Sequence, residues 1–387
     1  MSHDETTQEH RMFRETLRRF LETYARPKYA QWESEHGIPR EFWRKLGDQG
    51  FLGPEVPENY GGAGVDFHYA AIIVEEFERI GAGLSGVSLH NSIVLPYLTQ
   101  FGSPYQKQQW LSPSVRGELI TALAITEPGA GSDVAGLSSS AREESDHFVV
   151  NGQKTFITNG RQADLLLVAV KTDPQSVPPH RGISLLWIET ATPGVSRGHN
   201  LPKIGQHSQD TCELFFDAVR VPKTHVLGVV GQGFRYLMRH LSQERLVVAL
   251  QAQIVAEEIF AATLQYVRER HAFGKPIGTF QNTQFKLAEL ATEITMGRRF
   301  IDTLIEDHVR GQCGDFDAAM AKWRLTDTAK RVALECLQLY GGYGYMEEYP
   351  IARRLRDVLV MPIYAGTNEI MKLLIARSLG LDERVRA

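Results

Sequence analysis

HFVVNGQKTFIT, residues 147–158, is the stretch on which the architecture turns. It is a short run rich in β-branched and aromatic residues, and it has neighbours of the same texture: ELITALAIT (118–126), DLLLVAV (164–170), GISLLWIE (182–189) and CELFFDAVRVP (212–222). Gly, Pro, Asn and Asp separate them, as expected of successive strands. No helical pattern falls between them, so crossovers are missing. The reading is an antiparallel sheet or barrel, not a nucleotide-binding parallel sheet. Asn151–Gly152, inside the quoted stretch, predicts a hairpin turn.

Outward on both sides the period becomes helical. HRMFRETLRRFLETYARP ends at Pro27, and PREFWRKLGDQG runs from Pro39 to Gly50. PEVPENYGGAGVD (54–66) is a loop, and HYAAIIVEEFERIGAG resumes a helix. Two further helical pieces are expected to break at Pro104 and Pro113. Beyond the strands, long helices are predicted at 233–270, 281–311, 315–340 and 367–379. The fold class is α+β: an N-terminal helical domain (1–118), a middle antiparallel β-barrel-like domain (119–231) and a C-terminal four-helix bundle (232–387).

The 387 residues carry a net charge of −4, with 43% hydrophobic and 23% charged residues. That balance argues against a nucleic-acid binder. Cys212, Cys313 and Cys336 are far apart, and CxxC, HExxH and metal-spaced His/Cys clusters are absent from the sequence. No metal is predicted, and three scattered thiols suit a reducing compartment. The polar start MSHDETTQEH is not a secretory signal, and ADLLLVAV (163–170) is too short to span a bilayer, so the expectation is cytoplasmic. GAGLSG (81–86) satisfies G-x-G-x-x-G but follows the helical EEFERI rather than a strand, and is set aside.

Several segments carry chemistry only in combination. TEPGAGSDVAG (126–136) is a loop of small residues able to approach a flat or phosphorylated ligand; alone it is a glycine-rich turn. KTFITNG (154–160) puts Phe156 and Thr158 on one side of a strand, as an ordinary β-surface pair also would. Arg270, in RERHAFGKPIGTFQ, suits a phosphate or plain solvation. QLYGGYGY (338–345) ends a helix in paired glycines, and Thr367 of PIYAGTNEIM is a natural N-cap. In LMRHLSQERLVVALQAQIVAEE (237–258), Leu237, Leu241, Val248 and Val255 share a helical face with Glu244, a costly place for a carboxylate.

Taken in order, these motifs resemble the acyl-CoA dehydrogenase family over about residues 10–380: helices, a β-domain with TEPGAGSD, then helices with RxxFGxxI, GGYGY and IYxGTNEI. The resemblance implies flavoenzymes that place a double bond between Cα and Cβ of an acyl-CoA thioester, with FAD as cofactor. It implies that Leu123, Ile125, Thr126, Gly131, Ser132, Phe156, Ile157 and Thr158 border the flavin ring. Arg270 and Gln281 fall to its ADP half, with Gln338, Gly341 and Gly342 joining from a neighbouring subunit; Phe273 is a further cofactor contact, and Thr367 and Glu369 close the site. Ser132, Arg235, Ser242, Arg245 and Gly366 match substrate or CoA contacts. The family's electron-transferring flavoprotein is the implied acceptor, and a homotetramer, a dimer of dimers, the implied assembly.

One position departs from the commonest pattern. Most of the family carries its base as the glutamate of IYEGT, whereas this chain reads IYAGT, with Ala365. Isovaleryl-CoA and long-chain acyl-CoA dehydrogenases instead resemble QERLVVA here, with the base on the helix after the β-domain. Glu244 is therefore the expected base, and desolvation would raise its pKa toward neutrality. The alternative is a buried structural glutamate paired with an arginine. LSQERL and IYAGTNEIMKLLIAR point to long-chain substrates; 3-methyl-branched chains such as isovaleryl- or citronellyl-CoA fit the same pattern. An acyl-CoA oxidase using O2, or a catalytically silent scaffold, are the rival readings.

Overall fold

The computed structural model describes residues 7–81 and 84–381. Ala82 and Gly83, inside GAGLSG, lie outside the described residues.

The N-terminal helices are α1 (Gln8–Tyr24), α2 (Tyr29–Glu35), α3 (Arg40–Asp48), α4 (Phe67–Arg79), α5 (Ser85–Leu89), α6 (Leu95–Phe101) and α7 (Pro104–Val115). At three of these starts a side chain accepts an orphan N–H group. Thr7 caps α1, Asp66 caps α4, and Ser103 with Gln106 forms a capping box at α7, where Pro104 occupies the first turn. Pro113 does not break α7. It lies two residues from the helix end, where one lost bond matters little, and Trp110 and Leu111 anchor that turn in the core. A π-helical segment, His90–Val94, joins α5 to α6.

The middle strands are β1 (Thr121–Ala124), β2 (Ser140–Glu143), β3 (His147–Thr158), β4 (Leu165–Lys171), β5 (Ile183–Glu189), β6 (Val195–Arg197) and β7 (Thr211–Pro222). They form one sheet in the order β1-β4-β2-β3-β7-β6, with β5 also on β4. Most pairs are antiparallel. β1 and β4 are parallel, Thr121 opposite Leu165 through Ala124 opposite Val168, because β2 and β3 intervene in the chain and supply the return path that a helix would otherwise give.

Asn151–Gly152 is not a hairpin. β3 runs straight through it, paired to β7 on both sides, with the register slipping between Val150 and Gly152. Gly152 is needed because Ser139 fills the space a Cβ would occupy, 2.3 Å from its Oγ. The dipeptide thus marks a bulge; the true β2–β3 turn closes with Glu144 N–H on the His147 carbonyl.

The C-terminal domain holds α8 (Gly233–Glu269), a small hairpin of β8 (His271–Ala272) and β9 (Lys275–Pro276), then α9 (Gln281–Val309), α10 (Asp315–Leu339), α11 (Pro350–Val358) and α12 (Asn368–Ser378). Three helices are long, and the fourth of the expected bundle is the short α12. α8 is not amphipathic in its middle: every residue from Gln243 to Ala256 is buried, while Leu241 is only half-buried. Helices α4, α9 and α10 surround it, so the helix is apolar nearly all round. It is long and apolar enough to cross a membrane, but 72% of that stretch is buried inside the fold, as befits a bundle core. Phe67, Ala70 and Val74 of α4 belong to the same hydrophobic cluster as α8, so the two helical domains share one core.

Candidate active site

Glu244 is 6% exposed on α8. Two buried acids of α4 show the paired solution, whereas Glu78, also buried, is likewise raised to about 7. Glu75 meets Arg14 at 2.6 Å and Arg298 at 2.8 Å, and Glu76 meets Arg18 at 2.7 Å. Glu244 instead accepts one hydrogen bond, from the Tyr97 hydroxyl at 2.9 Å, and has no ion pair among the described residues. Burial pushes its carboxyl up to about 7, against the opposing pull of the Tyr97 bond and the Arg245 charge. Burial and the adjacent carboxylate drive Tyr97 well above its ordinary range, so it stays a proton donor. His240, one turn before Glu244, packs against Tyr97 with the rings tilted and their centroids 4.3 Å apart. Burial holds it near 4, and its Nε2 is buried without a hydrogen-bond partner.

Arg245 turns away from Glu244 toward Asp315, at 3.8 Å, and Ser242 donates to the same Asp315 carboxylate. Two of the predicted substrate contacts thus meet at the start of α10. The Arg245 Nε is buried and unpartnered, a donor left for an incoming ligand. Arg235, a third, is exposed on the first turn of α8.

The loop that lost its glutamate is tightly held. Ala365 takes a left-handed backbone, φ 53°, followed by Gly366 at 84°. Lys322 of α10, fully buried, donates to the Gly366 carbonyl at 2.7 Å and to Asn368 Oδ1 at 3.0 Å. Desolvation brings that lysine down to about 8, with Arg245 pressing the same way. Thr367 caps α12 through the Ile370 N–H, as its position predicted; Glu369 is exposed beside it.

On the β side, Leu123, Ile125 and Thr126 are half-buried, and the Thr126 carbonyl accepts the Thr155 N–H at 2.9 Å, which joins the glycine loop to β3. Gly131 and Ser132 are exposed in that loop, while Ile157 points into the sheet core. Phe156 is 68% exposed with φ 59°, within a second slip of the β3–β7 register. A bulky residue in that conformation is rare and here turns an aromatic ring outward. Thr158 accepts from the Gln209 amide at 3.0 Å, leaving its own proton to donate.

An ion pair fixes this surface. Lys154 of β3 meets Glu127 at 2.7 Å, both buried, and Glu127 also accepts from the Ser138 and Ser139 backbone. Glu127 is held near 2 and Lys154 near 8, so both are charged at neutral pH. Tyr97, His240, Lys322, Gln209 and this pair are absent from the sequence reading. EPG (127–129) was read for its glycine alone, and the others become visible only when distant segments meet.

At the far end of α8, Arg270, Gln338, Gly341 and Gly342 line one open cavity of about 480 Å³ with Tyr266, Tyr340 and Tyr343. The Arg270 guanidinium lies over the Tyr343 ring at 5.4 Å. A Cβ added at Gly341 or Gly342 would meet nothing within 4 Å, so the glycines leave a cradle. Within one chain Arg270, Gln338 and the two glycines therefore face the same cavity. Phe273, 94% exposed on the β8–β9 turn, and Gln281, exposed at the start of α9, do not line this cavity.

Three domain models match in series: acyl-CoA dehydrogenase N-terminal domain over residues 7–118, middle domain over 122–219 and C-terminal domain over 231–380. Helices, a curled sheet and helices again, with a buried acid poised near neutrality, define an oxidoreductase of three-domain build. The chain belongs to the acyl-CoA dehydrogenase family. It is similar to the long-chain specific acyl-CoA dehydrogenase of Sus scrofa mitochondria, at 43% identity over 97% of this chain and 87% of that protein. The acyl-CoA dehydrogenase of Geobacillus kaustophilus superposes with a TM-score of 0.96 at 57% identity, covering 97% and 99% of the two chains. A Mycobacterium smegmatis glutaryl-CoA dehydrogenase solved in complex with FADH2 gives 0.90 at 29% identity, covering 98% and 96%. Members of the family are FAD-binding oxidoreductases acting on acyl-CoA.

Proposed function

We propose that this chain is an FAD-dependent dehydrogenase that converts a long-chain or 3-methyl-branched acyl-CoA to its trans-2-enoyl-CoA, with Glu244 as base. The observation that carries the reading is the setting of Glu244: an acid buried in apolar surroundings, raised to about 7 and partnered by a hydroxyl, in a chain whose loop position 365 is alanine. Such an acid is ionised enough near neutrality to accept a proton and basic enough to hold it. Tyr97 steadies the charged form and sets the direction of the carboxylate.

The residues present fit FAD. The glycine cradle at 341–342 with Arg270 and Gln338 suits a pyrophosphate-linked end, and the outward Phe156 ring with the free Thr158 proton suits a flat heterocycle. When bound, FAD supplies the two-electron acceptor of the oxidation. Arg245, with an unpartnered Nε, Ser242 and Arg235 hold the anionic CoA ester, and Ser132 and Gly366 close over it. Glu244 removes the α-proton, and the dry bundle around α8 keeps water from competing.

Electrons leave to an electron-transferring flavoprotein. Phe285 and Met296 of α9 and Leu334 of α10 are exposed apolar side chains, which supports a homotetramer that covers them. Free Cys212, Cys313 and Cys336 support a reducing, cytoplasmic setting. The test is the absorbance spectrum of the purified protein, repeated anaerobically after adding short, medium and long straight-chain and 3-methyl-branched acyl-CoAs. Yellow protein bleached fastest by the long or branched thioesters is expected; a colourless protein, or one that no acyl-CoA bleaches, ends the proposal.

A further inference from the structure

The start of α1 meets the start of α4 away from the pocket just described. His10 is 7% exposed, and its Nδ1 is buried without a hydrogen-bond partner. Its ring stands beside that of His68, centroids 5.3 Å apart. His68 follows Asp66, which caps α4 by accepting the His68 N–H at 2.9 Å. The His68 Nδ1 is 3.0 Å from Asp66 Oδ1, and its Nε2 is 2.7 Å from Glu306 Oε1 on α9. One ligating atom from each of His10, Asp66 and His68 lies within 4.8 Å of the other two.

Two arrangements satisfy His68 between its two carboxylates: a doubly protonated ring, or a neutral ring that ligates a cation through one nitrogen. Only the second also uses the buried His10 nitrogen, which has nothing to bind. With the proton on Nε2, at the shorter contact, the Nδ1 lone pair looks at an Asp66 oxygen. A cation between them removes that conflict. Two imidazoles and a carboxylate are a donor set for zinc-class ions. Glu306 then plays the familiar part behind a ligating histidine: it takes the far N–H and fixes the ring. Two imidazoles bound tetrahedrally at about 2.1 Å have their ring centres about 5 Å apart, close to the spacing observed here.

We propose that His10, Asp66 and His68 form a binding site for one divalent transition-metal ion of the zinc class, with water completing its coordination. The ion ties α1 to α4 and, through Glu306, to α9. It is linked to the Glu244 helix by contact, since Phe67 packs on His308, and His308 contacts Gln243, the neighbour of Glu244. His10 and Asp66 lie far apart in the sequence, which explains why spacing did not reveal the site.

The experiment uses the tag-free, full-length protein, stripped with a chelator and titrated with Zn²⁺ by calorimetry. One ion per chain is expected, with the thermal midpoint rising by about 2 °C or more at a hundredfold excess over Kd. Asp66→Asn keeps a good N-cap, so it tests the ligand without losing the helix start. It and His10→Phe are each expected to weaken binding by about tenfold or more. Absence of stoichiometric binding, or unchanged affinity in both variants, overturns the proposal. Neither result depends on flavin or acyl-CoA chemistry.

Discussion

Replacing Glu244 by Gln separates catalysis from stability in a way that only a buried, functional acid allows. The folded protein holds this carboxyl at about 7, above its ordinary 4.5. The native state therefore keeps a proton that the unfolded chain releases. Stability falls as pH rises from 4.5 to 7, and above 7 the whole cost is present. At 1.36 kcal/mol per tenfold, that cost is about 3 kcal/mol. The Glu244→Gln side chain escapes it but buries an NH2 group with no evident acceptor, which costs about 1–2 kcal/mol. Its amide carbonyl still accepts from Tyr97. The variant is expected to be about 1–2 kcal/mol more stable than the parent above pH 8, and equal or less stable near pH 5. Flavin reduction by acyl-CoA should fall by about 10²–10⁴. Denaturant midpoints at the two pH values and anaerobic stopped-flow bleaching measure both. Normal reduction with FAD bound, or a stability difference that ignores pH, refutes the reasoning. Adding Ala365→Glu to this background should restore part of the rate, since Ala365 already carries a Cβ in the left-handed backbone and glutamate adds no branch at that carbon.

Tyr97→Phe removes the hydroxyl that stabilises ionised Glu244, so the acid limb of kcat/KM should move upward from about 7 by about one pH unit; a limb that stays put contradicts the assignment. Lys154→Met strands Glu127 as a buried unpaired charge and should cost about 3–5 kcal/mol in denaturant unfolding, whereas the double change with Glu127→Gln should recover most of it. Gly342→Leu fills the open cradle beside Gln338 and should weaken FAD retention by about tenfold or more, read by equilibrium dialysis, with the fold unchanged because no atom lies within 4 Å of the added Cβ.

The alternation of helical and β-rich texture was enough to read the α+β layout, because each domain is long and periodic in its own way. Local signals failed where distant pairing outweighed them. Asn151–Gly152 has the chemistry of a turn, yet β7 pairs with β3 on both sides of it and the dipeptide becomes a bulge. Pro113 breaks helices in general, but near the end of α7 the buried Trp110 and Leu111 hold the turn. The apolar stripe around Glu244 was read as one face of a helix that proves buried all round. Spacing on α8 marked Glu244 as a costly acid, and the alanine at 365 gave the reason to expect a base there. Tyr97 precedes Glu244 by 147 positions, and Lys322 reaches Gly366 across 44. Such contacts leave no local trace.

The encirclement of α8 bears on how selectivity arises. A proton acceptor on a surface loop can drift with its substrate as the loop flexes. The acceptor we propose, Glu244, is mounted on a spine braced by α4, α9 and α10, and in that role it would stay in place whatever thioester arrives. Discrimination among acyl tails must then be the work of the surrounding walls, and mutations that retune chain length should accumulate around the spine while leaving Glu244 where it is.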